Sequence, residues 1–130
     1  MRRIALLAAV VALAACSNDA TSPSVSLVGT YSLRTINGNP LPFTFSSGSV
    51  LVSDRLSLNV DNSYVDIATF SNGSTSTEQG FWSSNNNVIT FNDQTDNIQY
   101  TGSLSGSVLT EIFNNTGGFS GSVTEVYQKV

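Results

Sequence analysis

The sequence contains no histidine, one cysteine and few charged residues. The absence of histidine excludes Ser-His-Asp and Cys-His catalysis and removes the commonest zinc ligand. The single cysteine, Cys16, excludes an internal disulfide and a cysteine-rich metal site. We therefore expect a protein that is not an enzyme, with no cofactor and no metal ligands.

Basic residues are scarce. Arg2 and Arg3 lie at the extreme N-terminus, and from residue 16 onward only Arg34, Arg55 and Lys129 stand against nine acidic residues, a net charge of −6. Nucleic-acid binding needs clustered Lys and Arg to neutralise phosphates, and no such cluster is present. We predict that nucleic acid is not a partner.

The N-terminus carries a targeting pattern. Arg2 and Arg3 precede an apolar run that begins at Ile4 and ends in Leu13-Ala14-Ala15-Cys16. The run is much shorter than the roughly 20 residues of a membrane-spanning helix. One interpretation of this pattern is an ordinary secretory signal with an incidental cysteine.

The favoured interpretation is different, because the pattern resembles a bacterial lipoprotein signal with its lipobox. The resemblance implies that residues 1–15 are a signal peptide and that Cys16 is acylated, typically with palmitate. More than one acyl chain gives stable membrane attachment. Since Ser17, and not Asp, follows the cysteine, it also implies the outer membrane, at its periplasmic or cell-surface face.

The residues after Cys16 divide into a tether and one domain. Small polar residues with a proline at Pro23 predict a flexible tether over residues 16–27. The remaining residues, 28–130, are enough for one domain with a modest core.

The domain has the pattern of an all-β protein. Short apolar runs alternate with Gly, Asn, Asp and Ser at intervals of about ten residues, and no segment has helical periodicity. The predicted strands are Gly29–Ile36, Val50–Val60, Ser63–Phe70, Thr75–Ser83, Val88–Asn92, Asn97–Leu104, Val108–Phe113 and Phe119–Val130.

Alternation predicts which residues of the second strand face inward, namely Val50, Val52, Leu56, Leu58 and Val60. Before that strand, Asn37-Gly38 predicts a tight turn. Pro40 and Pro42 then predict an extended link outside the sheet.

Eight short antiparallel strands without a crossover predict an up-and-down barrel, with a two-sheet β-sandwich as the alternative. Closure is favoured because the sequence has few of the lysines that protect open sheet edges. The segments Gly29-Thr-Tyr-Ser-Leu, Leu56-Ser-Leu-Asn-Val, Gly80-Phe-Trp and Tyr100-Thr-Gly resemble those of small bacterial lipocalin-like lipoproteins. That resemblance implies a lipocalin-like barrel. Classical lipocalins carry Gly-x-Trp where this chain has Gly29-Thr-Tyr31.

The interior of such a barrel is either filled by side chains or holds one small ligand. If it is hollow, we predict that aromatic residues line it: Tyr31, Tyr64, Phe70, Trp82, Phe91, Tyr100 and Tyr127. Asp66 and Glu125 share the parity of inward residues and would be polar anchors. The oxygen-rich stretch from Asp93 to Asn97 lacks the spacing of a calcium loop and is interpreted as a plain turn.

Two functional hypotheses are compatible with these features. In the first, the barrel is an envelope module that binds a small apolar ligand. In the second, its core is solid and it is a structural or protein-interaction module with an envelope protein as partner. The apolar residues Leu41, Phe43 and Phe45 discriminate between them, as either a lid on the barrel or an exposed contact patch.

Overall fold

The structure is a computed structural model that describes residues 26–114 and 121–130. The predicted signal peptide, Cys16 and the tether up to residue 25 lie outside the described residues. The described residues form ten strands: β1 Gly29–Ile36, β2 Asn39–Pro40, β3 Phe43–Thr44, β4 Val50–Leu58, β5 Ser63–Phe70, β6 Thr75–Asn85, β7 Val88–Asp93, β8 Ile98–Ser105, β9 Val108–Asn114 and β10 Ser122–Lys129.

The eight longer strands form a closed antiparallel up-and-down barrel. Each pairs with its sequence neighbour from β4 to β10, and β1 pairs with β10 on one side and β4 on the other. The β1–β4 pairing, from Gly29 opposite Leu58 to Ser32 opposite Arg55, closes the sheet on itself. The predicted barrel is confirmed, and the sandwich alternative is wrong. In the described residues there is no helix that is long and apolar enough to span a membrane.

The eight predicted strands are observed, with ends that shift by a few residues at most. The predicted start of the last strand, at residue 119, lies outside the described ranges. The two-residue strands β2 and β3 fall in the proline-containing connection, which we predicted to lie outside the sheet. Pro40 lies opposite Thr35 in β2, at an edge where a missing N–H is tolerated.

Asparagine residues in left-handed backbone conformations make several of the tight turns. Asn37 (φ 49°) and Gly38 (φ 79°) both have positive φ, as a type I′ hairpin turn requires. Asn62 and Asn86 adopt similar angles in the turns after β4 and β6. These short turns keep consecutive strands adjacent and so produce the up-and-down order.

Strand β4 departs from the predicted alternation. Its register against β5 shifts between Leu51 and Ser53, which reverses the facing of the residues around this irregularity. Leu51 is buried whereas Val52 is 42% exposed. The prediction that Val52 faces inward is therefore wrong, and Leu51 takes the inward position instead. Beyond the shift the predicted parity holds, with Asp54, Leu56 and Leu58 all buried. Val60 was also predicted to be inward, but it follows the end of the strand and is 84% exposed.

The barrel is solid at one end, which we call the closed end. There the chain termini of the barrel and the β4–β5, β6–β7 and β8–β9 turns meet. Buried side chains from seven of the eight long strands fill this half, and among them are Tyr31, Leu56, Leu58, Tyr64, Trp82, Ile89, Phe91, Leu109 and Tyr127.

Candidate functional site

The other end of the barrel, the open end, encloses a cavity of about 230 Å³. The β5–β6 and β7–β8 turns and the connection over residues 37–49 lie at this end. Six acidic residues line the cavity together with apolar and aromatic ones. The acidic lining residues are Asp54, Asp66, Glu78, Asp96, Glu111 and Glu125, and the principal apolar ones are Phe45, Leu51, Phe70, Ile98, Tyr100 and Phe113.

Cross-strand pairing brings the carboxyl groups together in pairs. Glu111 of β9 lies directly opposite Glu125 of β10, and Asp66 of β5 lies directly opposite Glu78 of β6. Like charges in directly opposed positions destabilise a sheet. Two such pairs on the inner face of one barrel are therefore an arrangement that costs stability unless something compensates for it.

A tyrosine hydroxyl supports the carboxyl groups from the closed end. Tyr127 Oη lies 3.0 Å from Glu125 Oε2 and 3.4 Å from Asp66 Oδ2. Asp54 and Asp66 lie within hydrogen-bonding range of each other. One oxygen in each of Asp54, Asp66 and Glu111 is buried with no hydrogen-bond partner among the described residues. We call the group of four carboxyls formed by Asp54, Asp66, Glu111 and Glu125 the carboxyl floor.

Burial raises the pKa of every residue in the carboxyl floor. For Glu125 burial and the charge of Asp54 raise the pKa to about 8, and for Glu111 and Asp66 burial raises the pKa well above its ordinary value. The pKa of Asp54 is also raised by burial. At pH 7 Glu125 is therefore mostly protonated, and burial favours the neutral form of the other three carboxyl groups as well.

Positive side chains do not line this cavity in the part of the chain that the structure describes. Arg34 and Arg55 are exposed on the outer surface. Lys129 lies at the closed end, where its Nζ donates to the carbonyl oxygens of Ser26 and Val28 and sits over the ring of Tyr31. Among the described residues, the acidic groups of the cavity thus have no basic partner.

Aromatic rings form the wall above the carboxyl floor. The Phe45 and Phe70 ring centroids are 6.3 Å apart, and Phe113 packs edge-on against Tyr100 at 5.6 Å. Tyr100 also stacks on Phe91 at 4.9 Å, which joins the wall to the closed core. The cavity therefore has a carboxyl-rich base and an apolar upper part.

The connection between β1 and β4 contributes to this wall. Leu41, Phe43 and Phe45 are half-buried and pack against the barrel core, and Phe43 contacts Phe45 edge-on at 5.2 Å between centroids. They are not an exposed patch, and Phe45 lines the cavity directly.

The seven predicted lining residues divide between the two halves of the barrel. Phe70 and Tyr100 line the cavity. Tyr127 underlies it through its hydroxyl group. The other four are part of the closed half, and they are Tyr31, Tyr64, Trp82 and Phe91.

The two predicted anchors, Asp66 and Glu125, both line the cavity. Sequence reasoning missed Asp54, Glu78, Asp96 and Glu111. Strand parity would have identified Glu111, which shares parity with the buried Leu109, and Glu78, which shares parity with the buried Trp82. Parity would also have identified Asp54, which shares it with the buried Leu56 and Leu58. Asp96 lies in a turn, where parity has no meaning.

A second acidic group shares two of its three residues, Glu78 and Asp96, with the cavity lining. Glu78, Asp93 and Asp96 each offer a carboxylate oxygen, and these three oxygens all lie within 4.8 Å of one another. Asp93 ends β7, Asp96 lies in the following turn, which we predicted from sequence, and Glu78 joins them from β6. The stretch is a turn, as predicted, but tertiary contacts add a third carboxylate to it.

No family model matches this chain, and no curated protein matches it. The closed eight-stranded barrel is consistent with the lipocalin-like resemblance at the level of the fold.

Proposed function

We propose that the barrel binds a small organic cation with an apolar group, such as an arylalkylamine. The observation that carries this proposal is the concentration of carboxyl groups, including two directly opposed pairs, in one cavity that no basic side chain lines in the described ranges 26–114 and 121–130. The ammonium group would sit on the carboxyl floor, and the apolar group would contact the rings of Phe45, Phe70 and Phe113.

Electrostatics favours a cation in this position. Each unpartnered floor oxygen can accept a hydrogen bond from an ammonium N–H, and one positive charge relieves the repulsion between opposed carboxylates. Binding requires the floor to release protons. With a pKa of about 8, Glu125 loses its proton at pH 7 at a cost of about 1.4 kcal/mol. That cost is smaller than the roughly 1.5 to 3 kcal/mol of one charged hydrogen bond.

The wall and the size of the cavity specify the remainder of the ligand. Aromatic faces attract a desolvated cation and also bury apolar surface. A volume of about 230 Å³ equals roughly eight water molecules, so the ligand has room for about ten non-hydrogen atoms. The apolar ligand predicted from sequence is therefore revised to a ligand that is apolar at one end and positively charged at the other.

The interaction-module hypothesis receives less support. It needed a solid core and an exposed rim at Leu41, Phe43 and Phe45, whereas these side chains pack against the barrel and one end is hollow. A glycosidase role for Asp66 and Glu125 is likewise not supported. Such a pair needs one carboxyl held ionised and one held neutral, and burial raises the pKa of both.

The test compares 2-phenylethylamine with 2-phenylethanol, a neutral analogue of similar shape, by isothermal titration calorimetry on the purified chain. We expect the amine to bind at least tenfold more tightly than the alcohol, a difference of about 1.4 kcal/mol or more. Glu111→Gln should remove most of that difference, since Gln resembles the protonated side chain and preserves folding. Asp61→Asn, in an exposed turn, is the matched control and should leave both affinities unchanged.

Equal affinities for amine and alcohol, or no binding of either, would count against a cation site. Native mass spectrometry followed by organic extraction provides an independent measurement. A co-purified molecule should carry a basic nitrogen, and a neutral or acidic one would contradict the proposal.

We further propose that the barrel acts by binding alone and is held at the bacterial outer membrane through acylated Cys16. This rests on the lipobox-like sequence Leu13-Ala14-Ala15-Cys16 and on the polar residues that come after it. Cys16→Ala should move the protein from the membrane fraction to the soluble fraction and abolish palmitate labelling. Unchanged fractionation and labelling would show that Cys16 is not the anchor.

A further inference from the structure

The second acidic group, formed by Glu78, Asp93 and Asp96, has the spacing of ligands around one ion. Oxygens bound to one Ca²⁺ at roughly 2.3–2.6 Å can be at most about 5 Å apart. The three carboxylate oxygens lie within 4.8 Å of one another, which satisfies this limit. Among the described residues, no other group of three acidic side chains meets it.

Asp93 provides an independent indication that the group faces a ligand. The residue is only 3% exposed, and its Oδ1 accepts hydrogen bonds from the backbone N–H groups of Thr95 (2.7 Å) and Asp96 (3.4 Å). Its Oδ2 is buried and has no hydrogen-bond partner among the described residues. A buried carboxylate oxygen without a partner is costly, and a bound cation would remove the cost.

The turn that carries Asp93 and Asp96 is held against β6. Gln94 donates its backbone N–H to the Gln79 carbonyl oxygen at 3.0 Å, and the Gln79 N–H donates to Thr95 Oγ1 at 3.0 Å. Glu78 precedes Gln79, so the same contacts position the third carboxylate. Asp96 is exposed, which gives an ion a direct path from solvent.

We propose that Glu78, Asp93 and Asp96 form a binding site for one hard divalent cation of the calcium class. All three ligands are carboxylates, which Ca²⁺ and other hard cations prefer. Ca²⁺ is favoured over Mg²⁺ because a partly exposed site on a turn suits flexible coordination completed by water, while Mg²⁺ demands strict octahedral geometry. This proposal stands without the organic cation, although Glu78 and Asp96 also line the cavity proposed to hold that cation.

The test is a titration of the purified full-length chain with CaCl₂ by calorimetry, with no organic amine present. We expect one ion per chain, with an affinity in the range of roughly 10⁻⁵ to 10⁻³ M. Asp96→Asn and Glu78→Gln should each weaken binding at least tenfold. Asp96 is exposed, so its variant keeps the fold, which circular dichroism would verify.

Two control variants separate this site from others. Asp61→Asn removes an exposed carboxylate elsewhere, and Glu111→Gln changes the carboxyl floor outside the three ligands. Both should bind Ca²⁺ as the unaltered chain does. Absence of saturable binding up to about 10 mM Ca²⁺, or equal weakening in Asp96→Asn and Asp61→Asn, overturns the proposal. Loss of binding in Glu111→Gln but not in Asp96→Asn overturns it too, since the ion would then occupy the floor.

Discussion

Gly80 lies in β6 at a point where the neighbouring strands leave no room for a side chain. It is paired with Tyr64 of β5 and with Asp93 of β7. A Cβ atom at this position would lie 2.1 Å from the backbone oxygen of Asn92 and 3.0 Å from the Tyr64 ring. Since backbone cannot yield as a flexible side chain does, this position requires glycine.

We expect Gly80→Ala to lower the free energy of unfolding by about 3 kcal/mol or more, through strand displacement. Urea denaturation would measure it. Gly102→Ala is the comparison. A Cβ atom there would lie 3.0 Å from the Thr110 backbone oxygen, and its other near neighbours are side-chain atoms of Phe91 and Leu109. Gly102→Ala should lower the free energy of unfolding clearly less than Gly80→Ala does. Equal stabilities of the two variants would show that β6 can shift at no great cost.

Also at the residue scale, the carboxyl groups show where sequence reasoning succeeds. Asp66 and Glu125 could be assigned to the interior because both lie in regular strands with apolar neighbours of the same parity. Asp54 follows the same rule, since it shares parity with the buried Leu56 and Leu58. Val52 does not, because its facing depends on the register shift in β4.

Among the elements, the β1–β2 hairpin is the one whose turn combines two stabilising features. Asn37 has φ 49°, and its Oδ1 accepts a hydrogen bond of 2.8 Å from the Thr124 backbone N–H. Its own N–H donates to the Thr124 carbonyl oxygen at 2.8 Å. The hairpin is thereby attached to β10 next to Glu125.

We expect Asn37→Ala to cost about 2 kcal/mol of stability, of which roughly 1 arises from placing Ala in the left-handed region and roughly 1 from the lost hydrogen bond. Asn86→Ala is the matched control, because Asn86 has φ 56° and no side-chain hydrogen bond to a described residue. It should cost about 1 kcal/mol. Thermal unfolding would measure both, and an equal loss would mean that the Thr124 contact adds nothing.

For the molecule as a whole, the division into a solid end and a carboxyl-lined end determines how stability depends on pH. Glu125 has an ordinary pKa of 4.5, and burial and the charge of Asp54 raise its folded-state pKa to about 8. Between these values the folded state binds more protons than the unfolded state. Stability from this group is therefore full below pH 4.5 and is lost as pH rises towards 8.

We expect the ligand-free protein to be more stable at pH 5 than at pH 8, with a contribution from Glu125 of roughly 3.5 kcal/mol. Asp66 and Glu111 change stability in the same direction, because burial raises the pKa of each. Urea midpoints at the two pH values would measure the effect. Glu125→Gln should reduce the difference, and a protein more stable at pH 8 would contradict the prediction.

By itself the sequence determined the number of long strands, their order and the positions of the turns. The alternation of apolar and polar residues and the turn preference of Asn-Gly act over a few residues, so a short stretch of sequence is enough to predict these features. Only the tertiary structure decided that β1 pairs with β4, that Val52 faces outward, and that Glu111 opposes Glu125 and Asp66 opposes Glu78. The β1–β4 pairing joins strands that are not neighbours in the chain, and the other three features depend on the register between neighbouring strands, where one residue of slip exchanges the two faces. For the same reason the cavity and the carboxylates of Glu78, Asp93 and Asp96 become visible only when the barrel is closed.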